Sequence, residues 1–130
     1  MPRDLRADKL KVMDVNAWLE DDPVRVYLAE VSNVPPLSAT EEAACIEHVR
    51  RQDQLAESAE ACLVETHLEL VVSIAQRYPR DRMHIMDLIQ TGNMALLSAV
   101  EAVKKGAAGH FADIASEHIE QAVRRAAVSG

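Results

Sequence analysis

Aromatic side chains are scarce in this sequence: Trp18, Tyr27, Tyr78 and Phe111 are the four among 130 residues, and glycine is equally rare at four. Strand-rich folds lean on aromatic residues, so these shortages argue against a β-sandwich and for helices. Two cysteines, Cys45 and Cys62, are too few for a disulfide-stapled scaffold and lack the spacing of a metal site. No apolar run approaches the ~20 residues of a membrane-spanning helix. The opening Met1-Pro2-Arg3-Asp4 lacks the apolar stretch of a signal peptide. The expected location is therefore the cytoplasm, with reduced thiols and no membrane contact. Positive charge is missing too: the formal net charge is −7. A duplex-DNA binder draws most of its affinity from phosphate neutralisation, so composition alone speaks against autonomous nucleic-acid binding.

What is present suits one helical domain. Hydrophobic residues make up 48% and charged residues 27%, enough for a core and ordinary for a globular chain. The charge is uneven. Residues 1–60 hold seven basic against thirteen acidic side chains, residues 61–103 three against five, and residues 104–130 four against three. The faint basic end comprises Lys104, Lys105, Arg124 and Arg125.

Periodicity and punctuation predict the helices. Residues 5–19 form a first candidate, with Leu5, Val12, Val15, Trp18 and Leu19 apolar. Asp22 reads as an N-cap and Pro23 as a first helical residue, opening a short helix to Val31 that Pro35-Pro36 prevents from continuing. Ser38-Ala39-Thr40-Glu41 is a capping box, and the helix it opens is expected to run towards Leu55. From there to Pro79 one long helix or two stacked ones fit equally. Val64, Leu68, Val71, Ala75 and Tyr78 are spaced 4, 3, 4, 3 as a seam on one helix face. After a polar loop at residues 80–84, Ile85, Leu88, Ile89, Gly92, Leu96, Ala99, Val100 and Val103 share a face. Gly92 costs ~1 kcal/mol against Ala in mid-helix, so close approach by another helix is its expected reason. Gly106 and Gly109 bracket a loop, and a last helix spans about 112–127.

Enzyme signatures are missing: no phosphate-binding glycine loop, nucleophile elbow or zinc-protease motif occurs. His110, Asp113 and Glu117 lie within two helical turns but read as a solvated helix start with acids favourable to its dipole. The sequence therefore predicts no enzyme, no cofactor and no metal.

Two stretches resemble the bacterial sigma-70 family of RNA polymerase initiation factors. Asp22-Pro23-Val24-Arg25-Val26-Tyr27-Leu28-Ala29-Glu30-Val31, with Val34-Pro35 and Leu37-Ser38-Ala39-Thr40-Glu41-Glu42, looks like region 1.2. Leu63 to Tyr78, continuing through Asp87-Leu88-Ile89-Gln90-Thr91-Gly92-Asn93, looks like regions 2.1 and 2.2. The resemblance covers residues 22–128 and implies an all-α, compact helical bundle over 22–130 behind an N-terminal segment of residues 1–21. It implies docking on core RNA polymerase, at the clamp helices of the largest subunit, through Met86, Asp87, Gln90, Thr91, Asn93 and Leu97. Thr91 replaces the family's usual Glu, and Leu97 replaces a Met.

The chain departs from the family where promoter DNA is opened. Family members carry a run resembling Phe-Ser-Thr-Tyr-Ala-Thr-Trp-Trp-Ile-Arg-Gln-Ala-Ile. Here Phe111 to Val123 has Ile114 for the Tyr, Glu117-His118 for the tandem Trp and Glu120 for the Arg. Stacking an unpaired base on an aromatic face is worth about 1–3 kcal/mol, which offsets the cost of flipping it out. Without those faces, and with carboxylates near phosphates, promoter recognition and melting are expected to be weak or lost. A residual DNA-contact set remains in Phe111, Gln121, Arg124 and Arg125, with Phe111 read first as a core anchor. The leading expectation is a sigma-like protein that binds core polymerase and acts in transcription initiation or its regulation. A divergent sigma factor, or a fragment of one, with altered DNA recognition is the first alternative. A repurposed interaction module, binding an anti-sigma-type protein or a copy of itself, is the second.

Overall fold

A computed structural model describes residues 23–78 and 84–129. Six α-helices account for the regular structure of the described residues: α1 Pro23–Val31, α2 Ala39–Arg51, α3 Ala56–Glu65, α4 Leu68–Ala75, α5 Ile85–Lys104 and α6 Phe111–Ser129. The protein is all-α, as its composition and periodicity imply. The helix expected at residues 5–19, the Asp22 cap, the Pro79 stop and the loop before His84 lie outside the described residues.

Local chemistry sets the helix ends. Ser38 Oγ accepts from Glu41 N at 3.1 Å while Glu41 Oε1 accepts from Ser38 N at 2.9 Å, so the capping box that opens α2 is complete. Contrary to expectation, α2 stops at Arg51 rather than near Leu55. Gln52 adopts φ 51° in the left-handed region, and its N–H returns to Val49 O. Asp53 then fixes the turn, accepting from His48 Nδ1 at 2.7 Å and from Leu55 N at 3.0 Å. This is a side-chain-made turn, with no Gly or Pro to announce it.

Between Leu55 and Pro79 the two-helix alternative is the one found. The break at Thr66-His67 again lacks a Gly or Pro. Thr66 Oγ1 donates to Cys62 O at 2.8 Å, and His67 Nδ1 donates to Leu63 O at 2.8 Å. The Cys62 carbonyl also keeps the Thr66 N–H, but the Leu63 carbonyl goes to the His67 ring while the His67 N–H turns to Val64 O, so the helical ladder stops there. The proposed seam is therefore interrupted: Val71 and Ala75 are buried, whereas Val64, Leu68 and Tyr78 are half-buried.

The α5 helix is the spine and touches each of the other five helices. Its inner face, Ile85, Leu88, Ile89, Gly92, Ala95, Leu96, Ala99, Val100 and Val103, is buried throughout. Each fully buried large aliphatic side chain there contributes about 1.5–3 kcal/mol. The most extensive partner is α6, which buries Phe111, Ala115, Ile119 and Val123 at four-residue spacing. Gly92 is where three helices converge. A Cβ on it would stand 2.6 Å from Val71 Cγ1 of α4, and 3.4 Å from both Ile119 Cγ2 and Val123 Cγ2 of α6. The expected reason for this glycine, close helix approach, is the observed one.

The α5–α6 turn is held from α2. Gly106 and Gly109 take φ 104° and 113°, which side-chain-bearing residues rarely adopt. Arg50 donates to Ala107 O at 2.5 Å and to Val103 O at 3.4 Å, while Glu42 Oε2 accepts from Phe111 N, the first residue of α6, at 3.2 Å. A carboxylate from one helix thus caps the positive end of another.

Candidate functional site

With its inner face sealed, α5 turns a polar strip to solvent. Asp87, Gln90, Met94 and Leu97 are exposed along it, Thr91 is half-buried, and Ser98 and Glu101 continue it. Thr91 Oγ1 donates to Asp87 O at 3.0 Å, so its hydroxyl is satisfied within the helix. The side chain of His84 caps this end of α5, accepting from Met86 N at 3.1 Å. Met94 is 71% exposed and Leu97 54%, two of the four large hydrophobic residues left in solvent among the described residues. It is contiguous exposed apolar surface that marks interaction sites, and these two lie one turn apart.

The residues expected to dock do not all lie on one face. Asp87, Gln90, Thr91 and Leu97 share the strip, and half-buried Met86 packs on the core. Asn93 faces away from it. Its Nδ2 donates to Tyr27 Oη of α1 at 3.4 Å, and its Oδ1 is buried without a protein partner. Met94 was overlooked by sequence reasoning, although its place one turn after Gln90 and one before Leu97 was visible in the helical register.

Next to Leu97 an open groove of about 590 Å³ runs between α3 and α5. Its floor is Ala61, Val64, Leu97 and Val100, and carboxylates of Glu57, Glu60, Glu65 and Glu101 rim it. Lys104 reaches two of these, Glu101 at 2.9 Å and Glu60 at 3.2 Å. Its hydrogen bonds to Glu101 and Glu60 hold the ammonium above the ordinary lysine range. The rim remains net acidic, which favours a cationic partner.

On α6 the four expected DNA-contact residues separate. Gln121, Arg124 and Arg125 are exposed at i, i+3 and i+4, on one face. Phe111 is fully buried, with the His67 ring edge-on to it at 4.9 Å between centroids, and serves as a core anchor. Glu117 is exposed, but Glu120 is drawn inwards: Tyr78 Oη donates to its Oε2 at 2.6 Å and Arg77 lies 3.8 Å from its Oε1. That hydrogen bond to Glu120, ahead of burial, pushes the Tyr78 phenol above its ordinary value.

Two family profiles match this chain, one described as Sigma-70 region 2 over residues 63–127 and the other as Sigma-70 factor, region 1.2, over residues 22–54. The chain belongs to the sigma-70 family. Its relatives include RNA polymerase sigma factor SigA of Lactococcus lactis subsp. cremoris, 42% identical over 106 residues, 82% of this chain and 29% of that protein. The SigA of Lactococcus lactis subsp. lactis strain IL1403 is also 42% identical over 106 residues, and that of a Bacillus species is 43% identical. This sigma-70 chain spans less than a third of the length of those relatives. Helices α1 and α2 fall within its region 1.2, and the region 2 match takes in α4, α5 and most of α6. The Arg50 and Glu42 contacts on the α5–α6 turn therefore join one sigma-70 region to the other. No described helix is long and apolar enough to cross a membrane.

Proposed function

We propose that this sigma-70 chain docks on bacterial core RNA polymerase, at the clamp helices of its largest subunit, and acts in transcription initiation or its regulation with little or no promoter melting of its own. The observation that carries the docking reading is the α5 strip. Asp87, Gln90 and Thr91 lead into Met94 and Leu97, two anchors exposed on a rigid helix whose opposite face is core. A few anchoring side chains, rather than total area, carry most of an interface's energy. Asn93 belongs to the α1 joint instead, and Met94 takes its place in the docking set. The match to proteins named RNA polymerase sigma factor supports the choice of partner.

The weak-melting reading rests on α6. Its outward face offers Glu117, Gln121, Arg124 and Arg125, none with a ring on which a flipped base can stack. The arginines and Gln121 suit weak contact with duplex phosphates and edges.

A binding assay with purified core polymerase tests the docking. Asp87→Ala with Gln90→Ala, or Met94→Glu alone, is expected to weaken binding about tenfold or more. Unchanged affinity in both variants sinks the docking surface. Permanganate reactivity of promoter thymines, with this chain and core enzyme alone, tests the melting. Reactivity matching that of a SigA control overturns that part.

A further inference from the structure

The two cysteines occupy matched positions in a helical hairpin. A short turn joins α2 to α3, and the helices pack on each other. Cys45 lies six residues before the end of α2, and Cys62 lies six residues after the start of α3. At 1.5 Å rise per residue both stand roughly 9 Å from the turn, at the same height. The two thiols lie close enough for Cys62 to act on Cys45, and both residues are half-buried and unbridged.

We propose that Cys45 and Cys62 form a reversible intramolecular disulfide that staples α2 to α3 when the protein meets a hydroperoxide. One thiol is oxidised first: its S–H and the peroxide ROOH give a sulfenic acid, S–OH, and the alcohol ROH. The second sulfur then attacks the sulfenic sulfur, its proton leaving with the hydroxyl as water, and the S–S bond closes. Two thiols and one hydroperoxide thus give one disulfide, one alcohol and one water. Burial, the Cys62 thiol and the Glu41 and Glu42 carboxylates push Cys45 up to about 11, so Cys45 is almost wholly protonated at neutral pH. In either order the attacking sulfur gives up its proton, and the other thiol, close by on the facing helix, resolves the sulfenic acid.

The staple has a structural consequence. The α2 helix holds the α5–α6 turn and the start of α6 through Arg50 and Glu42, so fixing α2 to α3 stiffens the support of that turn.

Intact mass spectrometry of the folded chain, before and after hydrogen peroxide, reads the outcome. The expected product is a monomer lighter by two hydrogens, with both thiols silent to a thiol reagent in urea and both restored by dithiothreitol. Its Tm should rise by on the order of 10 °C, reversibly. In Cys45→Ser and in Cys62→Ser, where no second sulfur can close the bridge, a sulfenic acid trapped by dimedone should accumulate on the remaining thiol. Both thiols surviving in the unaltered protein, or disulfides forming only between chains, overturns the proposal. Dimedone labelling in neither variant overturns the sulfenic step.

Discussion

Gly92→Ala probes the junction of α4, α5 and α6 with a single methyl group. The added Cβ falls 2.6 Å from Val71 Cγ1, which is 0.8 Å inside the 3.4 Å where ordinary contact begins. Val71 is β-branched and fully buried, so it has neither a free rotamer nor open space to move into. Ile119 and Val123, already at 3.4 Å, block relief on the α6 side. Overpacking of this kind costs about 1–3 kcal/mol. Replacing a mid-helix glycine by alanine returns about 1 kcal/mol through helix propensity. The net expectation is a loss of up to about 2 kcal/mol, read as a lower urea midpoint at unchanged slope in far-UV circular dichroism. The same substitution in a Val71→Ala background meets no Cγ1. There it should be neutral or stabilising by up to about 1 kcal/mol, giving a coupling of about 2 kcal/mol in the double-mutant cycle. Equal destabilisation in both backgrounds would refute the steric argument, and stabilisation in the otherwise unaltered chain would refute it outright.

Ser38→Ala removes one half of the capping box at α2 and should cost ~1 kcal/mol in the same urea titration, whereas Ser38→Thr should cost little. Tyr78 holds its proton more tightly in the folded than in the unfolded chain because of Glu120. Its stabilisation is thus complete below the ordinary tyrosine value of 10.0 and is lost as pH rises through the higher folded value. Tyr78→Phe should lower stability at neutral pH and flatten the alkaline limb of a stability–pH profile; an unchanged alkaline limb contradicts the Tyr78–Glu120 bond. Arg50→Met deletes two hydrogen bonds to the α5–α6 turn, so the Ala107 amide should exchange with deuterium about tenfold faster while amides in mid-α5 keep their protection. Unaltered exchange at Ala107 would mean that the turn does not depend on α2.

Much of the fold was legible locally. The Ser38 and Glu41 pair fixed where α2 begins, and Gly106 with Gly109 marked a turn that needs positive φ. Ile85 to Val103 showed its buried face by spacing alone. The helix ends that escaped notice, at Gln52 and at Thr66-His67, are made by side chains that bond backbone carbonyls or amides. Neither stretch carries the Gly or Pro that marks a helix end, so punctuation gave no warning of them.

The sequence by itself determined the helices, the residues that point inwards, the glycine at the crossing and membership of the sigma-70 family, because short-range periodicity and capping chemistry are written in neighbouring residues. Tertiary structure alone decided which outward-facing residues remain outward. Periodicity places Asn93 and Met94 side by side on the polar flank of α5, yet α1 covers the first through Tyr27 and leaves the second in solvent. In the same way Tyr78 and Arg77, forty-two and forty-three residues away, draw Glu120 inwards from the face where it was expected to repel phosphate. Packing between distant segments sets these outcomes, and helical periodicity carries no information about which neighbour arrives.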